Sequence, residues 1–133
     1  MSSLRRLRSA EIMIEHVVTA RPTDSLSKIG TLMERHRIGS VVIVQNRRVV
    51  GILTERDFSR IAGRGFMLGR DRVQHHMTKP VVTVRSDSSL EDVIKLMRKK
   101  DVRHVPVLDR KRRLVGIISS RDLMNIASDL LFS

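Results

Sequence analysis

GILTERD, Gly51 to Asp57, is written again 65 positions later as GIISSRD, Gly116 to Asp122. Both copies read glycine, two aliphatics, a hydroxyl residue, two variable positions and an aspartate. A chain of 133 residues that writes such a pattern twice has to be searched for a repeat first, because a missed repeat misreads the whole fold.

Working outward from the heptad, the register extends in both directions. Val17-Val18-Thr19-Ala20-Arg21 lies on Val81-Val82-Thr83-Val84-Arg85 at an offset of 64, and Leu26 then falls on Leu90, Leu32-Met33 on Leu96-Met97 and Val41 on Val105. One extra residue enters the next loop. After it Arg56-Asp57 meets Arg121-Asp122, and Ile61-Ala62 meets Ile126-Ala127.

The periodicity changes in the same order within each copy. A short Val/Thr strand leads into a cap-rich bend, Pro22 to Ser25 or Ser86 to Ser89. Apolar residues then recur at helical spacing, Leu26, Ile29, Gly30 and Met33 against Leu90, Val93, Ile94 and Met97. Two strands follow, Val41–Val44 with Val49–Leu53 and Val105–Leu108 with Leu114–Ile118, and a second helix closes each copy. The unit is β-α-β-β-α, of mixed α/β (α+β) class. A small sheet with helices on one face has to cover the other, so the expectation is a pseudo-twofold pair of repeats packed through their sheets. Lobes of about 60 residues bury too little apolar surface to stand comfortably alone. Gly63 to Gln74, with three glycines among arginines, reads as the connection, giving a basic segment 1–9 and domains at 10–66 and 73–131.

Composition narrows the chemistry. The absence of cysteine excludes disulfides, thiolate catalysis and cysteine-ligated zinc. No apolar run approaches the roughly 20 residues that span a bilayer, and the N-terminus lacks a signal peptide's apolar region. The sequence therefore reads as soluble and cytoplasmic, with no membrane partner. The net charge of +12 is carried mostly by arginine, whose planar fork suits phosphate. Such a field draws in nucleotides, nucleic acid or an acidic protein without choosing among them. Nothing resembles an enzyme site: there is no nucleophile beside a base and no GxxxxGK[ST] loop.

The repeated heptad has two readings. A hydroxyl residue followed three positions later by a carboxylate, just before an apolar helix, is a capping box, and Ser88 to Glu91 fits the same formula. The sharper reading starts from the free amides and positive dipole end of a helix N-terminus, a ready anion site. There Asp57 or Asp122 is an acceptor for both hydroxyls of a ribose, Thr54 or Ser119 a donor to a sugar or phosphate oxygen, and Arg56 or Arg121 a phosphate partner. Gly51 and Gly116 would leave room for a ligand to approach the backbone.

The ordering VVTVRSDSSLEDVIKLM, RHVPVLD and LVGIISSRDLM resembles the cystathionine beta-synthase domain, or CBS domain, and the similarity covers both repeats, roughly residues 10 to 131. The resemblance implies a tandem CBS pair, or Bateman module, that binds adenosine compounds without chemistry. AMP, ADP or ATP head the list, with S-adenosylmethionine or a dinucleotide after them, and no catalytic cofactor is implied. It also implies a disc-shaped homodimer of four CBS domains and a regulated partner not written on this chain. One implied cleft combines Thr54, Arg56 and Asp57 with Met77, Thr78, His104, Val105 and Pro106, with backbone around Val105 at the adenine edge and Asp57 on the ribose. The other combines Ser119, Arg121 and Asp122 with Ile12, Met13, Ser40, Val41 and Val42. Val42 stands where Pro106 stands, and Gly39-Ser40 replaces Arg103-His104. Unequal affinities follow, with the Asp57 cleft favoured on motif quality.

Other features have plainer readings. His104 reads equally as a phosphate contact or as a packed residue at the start of a strand. The adjacent His75 and His76 do not complete a metal site, because neighbouring side chains on a strand point apart and no carboxylate-histidine pattern accompanies them. Met13, Met33, Met77 and Met97 read as core filler. The alternative function is a basic interaction protein, its clefts vestigial, that holds RNA, DNA or an acidic partner through Arg5, Arg6, Arg8, Asn46-Arg47-Arg48 and Arg110 to Arg113. With no Trp or Tyr and three Phe, stacking platforms are scarce, so such binding would be phosphate-driven and salt-sensitive.

Overall fold

A computed structural model describes residues 2–66 and 69–133. Met1, the first residue of the basic segment, and Met67-Leu68, in the middle of the proposed connection, lie outside the described residues. The chain divides into two compact units, one formed by residues 18–81 and the other by residues 1–17 together with 82–133. No helix among the described residues is long and apolar enough to cross a membrane.

Unit 18–81 holds β1 (Thr19–Ala20), α3 (Leu26–His36), β2 (Ser40–Gln45), β3 (Arg48–Thr54) and α4 (Glu55–Gly63). The other unit holds α1 (Ser2–Arg5), α2 (Ser9–Ile12), β4 (Val84–Arg85), α5 (Leu90–Lys100), β5 (His104–Leu108), β6 (Leu114–Ser119) and α6 (Ser120–Phe132). Each has a three-stranded sheet, ordered β1-β2-β3 or β4-β5-β6. The first pair is parallel and the second antiparallel in both sheets. The β-α-β-β-α unit expected from the periodicity is therefore present twice.

The first strand is shorter than the Val/Thr run suggests. In β1 the ladder stops at Ala20 because the Arg21 N–H donates to Asp24 Oδ2 at 2.8 Å, turning the chain toward α3. Ser25 then caps α3 by accepting from the Lys28 N–H at 3.2 Å. The matching cap of α5 is Ser89, which accepts from the Asp92 N–H at 3.1 Å. This corrects the Ser88–Glu91 capping box. Ser88 Oγ is spent one step earlier, on the Arg85 N–H at 3.2 Å, where it closes the bend.

Each unit has its own core. In unit 18–81 Leu26, Ile29 and Met33 of α3 meet Val41 and Ile43 of β2, Leu53 of β3 and Ile61 of α4. In the other, Val93 and Met97 of α5 meet Val105 and Val107 of β5 and Ile118 of β6. Burying each of the larger side chains contributes about 1.5–3 kcal/mol before the entropy of ordering is counted. Met33 and Met97 are core residues, as expected.

The segments that lead into each repeat are exchanged. Thr78, which precedes the second repeat, pairs with Ile52 of β3 through hydrogen bonds of 2.9 and 3.1 Å. Ile14, which precedes the first, pairs in the same way with Ile117 of β6 at 2.9 and 3.0 Å. Much of the proposed connection is thus built into unit 18–81, where Val73 is fully buried.

This exchange explains the repeated glycine. A Cβ on Gly51 would stand 2.7 Å from Met77 Cγ and nearer still to Sδ, and a Cβ on Gly116 would stand 2.6 Å from Met13 Cγ. The space read as a ligand approach is filled by a methionine of the same unit. Gly51→Ala should therefore destabilise the protein by about 1–3 kcal/mol through overpacking. The loss should shrink by more than half in a Met77→Ala background. Urea unfolding of the four proteins measures this, and an equal loss in both backgrounds would contradict the contact.

At the second hairpin tip Asp109 accepts the N–H groups of Lys111 and Arg113, both at 2.9 Å, and pairs with Arg113 Nε at 2.9 Å. The Arg113 N–H first, and then its guanidinium, hold the Asp109 carboxyl below its usual range. A carboxyl with a lowered folded-state pKa contributes stability above its unfolded value and loses it as pH falls through the folded one. Asp109→Ala should lower the urea midpoint at about pH 6 and have little effect at about pH 2, and a pH-independent effect would exclude this role.

Candidate functional site

The heptads end at the junction of the last strand and the last helix of each unit. Thr54 closes β3 in an extended conformation, φ −121° and ψ 170°, and is the N-cap of α4. Its Oγ1 accepts from the Asp57 N–H at 3.3 Å, and its own N–H donates to Asp57 Oδ2 at 2.9 Å. Ser119 and Asp122 repeat this box at the start of α6, with bonds of 3.2 and 2.8 Å.

These junctions are less open to anions than the sequence suggests. Of the four amides that a helix start leaves unpaired, Thr54 and Asp57 satisfy two reciprocally. The Glu55 N–H donates to the Gly39 carbonyl at 3.1 Å. At α6 the Ser120 N–H donates in the same way to the Arg103 carbonyl at 2.9 Å. Three of the four amides at each helix end are thus consumed inside the protein. This corrects the expectation of a free amide cradle: anion recognition here falls to side chains. Arg56 and Arg121, on the first turns, are both exposed.

The two carboxylates differ in their surroundings. Asp57 is buried at 7% exposure. Its Oδ2 also accepts from Thr54 Oγ1 at 3.1 Å, and its Oδ1 accepts from Arg60 Nη2 at 3.1 Å and from Thr78 Oγ1 at 2.9 Å. The same Arg60 nitrogen donates to the His76 carbonyl at 2.9 Å. The half-buried Asp122 keeps its cap bonds, and no further side chain among the described residues donates to it.

Thr54, Arg56, Asp57, Met77 and Thr78 belong to one unit, where Thr54, Asp57 and Thr78 share hydrogen bonds and Met77 lies against Gly51. Ile12, Met13, Ser119, Arg121 and Asp122 belong to the other, where Met13 lies against Gly116. His104, Val105 and Pro106 open β5, and Ser40, Val41 and Val42 open β2. Val105 and Val41 are fully buried core residues.

Arg60 and His76 were not foreseen. Arg60 stands three residues after Asp57, a spacing that brings side chains together on a helix. Its counterpart in the second repeat is Asn125, and that break in the repeat is the signal that marks it. His76 is buried, with Nε2 3.6 Å from Asp71 Oδ1 and its ring edge-on to Phe66 at 4.5 Å between centroids. Among the described residues no three His, Asp or Glu side chains gather in a metal-binding group.

Comparison with known proteins places this geometry. The CBS domain family model matches residues 9–63 and again residues 72–129. An uncharacterized protein of Methanopyrus kandleri is 32% identical over 125 residues, covering 92% of this chain and 64% of that one. The inosine-5'-monophosphate dehydrogenase of Methanocaldococcus jannaschii is 32% identical over 118 residues, covering 88% of this chain but 23% of the enzyme. Among solved structures, the CBS domain pair of protein MJ0100 in complex with 5'-methylthioadenosine and S-adenosyl-L-methionine superposes with a TM-score of 0.85 at 26% identity, covering 93% of this chain and 98% of that one. The heptad is thus the end of a CBS repeat, and with two such repeats spanning most of its length the chain belongs to the CBS domain family.

Proposed function

We propose that this chain is a non-catalytic regulatory protein that binds an adenosine compound through the carboxylates at its strand-to-helix junctions. The observation that carries this reading is the hydroxyl-carboxylate box built at the same place in both CBS repeats, Thr54 with Asp57 and Ser119 with Asp122. The complex of the MJ0100 domain pair with two adenosyl compounds supports it. The ligand class is the adenosine group: AMP, ADP, ATP or S-adenosylmethionine.

The chemistry follows from the side chains. An ionised carboxylate only accepts hydrogen bonds, so it suits a vicinal diol, which offers two donors. Hydrogen bonds to a charged group contribute about 1.5–3 kcal/mol each, enough to orient a nucleoside. The exposed Arg56 and Arg121 supply positive charge for a phosphate or carboxylate carried by the ligand. Regulation requires that the ligand prefer one state of the protein over another, since only a difference in affinity shifts an equilibrium.

Calorimetric titration with AMP, ADP, ATP and S-adenosylmethionine at moderate salt tests the reading. At least one should bind saturably, and Asp57→Ala combined with Asp122→Ala should weaken it by about 30-fold or more. Unchanged affinity in the double variant would overturn the ribose assignment. Silence across the panel, with salt-sensitive binding to RNA instead, would favour the basic surface.

We also propose a homodimer. The helix α6 leaves Met124 70%, Leu130 58%, Leu131 75% and Phe132 84% exposed, and none of its residues is buried. A run of large apolar side chains in water marks an interface, and the family resemblance supports a second copy as its occupant. Sedimentation should show a dimer that Leu131→Glu with Phe132→Ser converts to a monomer, and an unchanged mass would exclude this helix from the interface.

A further inference from the structure

The two junctions share a sequence formula but differ in how many hydrogen bonds their carboxylates already accept. An ionised carboxylate has about four acceptor positions on its two oxygens. For Asp57 all four are taken. Oδ2 receives the Thr54 N–H at 2.9 Å and the Thr54 hydroxyl at 3.1 Å, while Oδ1 receives Arg60 Nη2 at 3.1 Å and the Thr78 hydroxyl at 2.9 Å. For Asp122 one is taken, by the Ser119 N–H at 2.8 Å.

The two extra donors on Asp57 have no counterpart in the other unit. Where the first repeat has Arg60 the second has Asn125, and where the segment paired with β3 has Thr78 the segment paired with β6 has Ile14. Ile14 has no side-chain donor, and Asn125 makes no bond to Asp122 among the described residues. Arg60 and Thr78 are each anchored at a second point. Arg60 Nη2 reaches the His76 carbonyl at 2.9 Å, and the Thr78 backbone pairs with Ile52 at 2.9 and 3.1 Å. These anchors hold both donors on a carboxylate that is 7% exposed.

We infer that Arg60 and Thr78 form an internal latch on Asp57, so that a ribose reaches this carboxylate only in exchange for them, and that Asp122 is the carboxylate open to ligand. The inference rests on the adenosine reading above and reverses the order of affinities that motif quality suggests. Entry at Asp57 has to displace anchored charge-assisted bonds made within the protein, whereas entry at Asp122, which is half-buried, has only solvent to displace from the remaining acceptor positions. Arg60 and Thr78 therefore set which junction responds at a given ligand concentration.

Calorimetry with AMP and with S-adenosylmethionine on the full chain tests this. Wild type should show one tight site per chain. Asp122→Ala should weaken that site at least tenfold. Arg60→Met with Thr78→Val should raise the stoichiometry from one to two. Retention of the tight site in Asp122→Ala, or a stoichiometry unmoved by the latch variant, would overturn the inference. A second measurement needs no ligand. In urea unfolding, the midpoint loss caused by Arg60→Met should fall by at least half in an Asp57→Asn background. Equal losses in both backgrounds would show that no latch exists. Failure of both probes to bind any variant, with the urea coupling present, would instead reject the adenosine reading and leave the latch standing.

Discussion

Each unit depends on one local bargain between a hydroxyl and a carboxylate three residues apart. Thr54 with Asp57, and Ser119 with Asp122, satisfy each other's backbone amides and so fix the angle at which the last strand turns into the last helix. Carbonyls from the loop before the preceding strand, Gly39 and Arg103, take the next amide and tie that loop to the same corner. The corner can therefore present a carboxylate in a defined position without a long supporting network. It is also why the helix ends offer a carboxylate acceptor in place of an amide cradle for anions.

The second constraint is the exchange of leading segments. Met77-Thr78 completes the unit of the first repeat and Met13-Ile14 that of the second, each methionine lying across a glycine that has no room for a side chain. The glycine, methionine and aspartate positions are thus coupled within a unit. Thr78 shows the consequence: the residue beside the packing methionine donates to the carboxylate at the corner. A substitution in a segment that looks like linker therefore acts on the strand-to-helix junction.

Most of the fold is legible in the sequence because it rests on short-range chemistry. The 64-residue register, the helical recurrence of Leu26, Ile29 and Met33 and the caps before the repeat helices are all local, and they place the helices and strands of the two β-α-β-β-α repeats to within a few residues, but not the short helices α1 and α2. The cap of α5 shows how fine the limit is, since Ser88 and Ser89 are neighbours with the same donor and acceptor, and only the geometry of the bend assigns one to Arg85 and the other to Asp92. The reason for Gly116 was not legible, because its partner Met13 lies 103 residues away and nothing local connects them. The consumed helix amides were hidden for a similar reason, as the carbonyls of Gly39 and Arg103 leave no mark in a sequence. Arg60 could have been found, since it stands three residues after Asp57 on a helix and is replaced by Asn125 in the other repeat.

The central claim is that the carboxylate corners of a CBS pair are where an adenosine compound binds. Amide chemical shifts followed during titration with S-adenosylmethionine and with AMP test it most directly. Saturable shifts should centre on Ser119 to Leu123 at the lowest ligand concentrations, with Thr54 to Phe58 following only at higher ones. Shifts confined to the arginine-rich hairpin tips, with both corners silent, would contradict it.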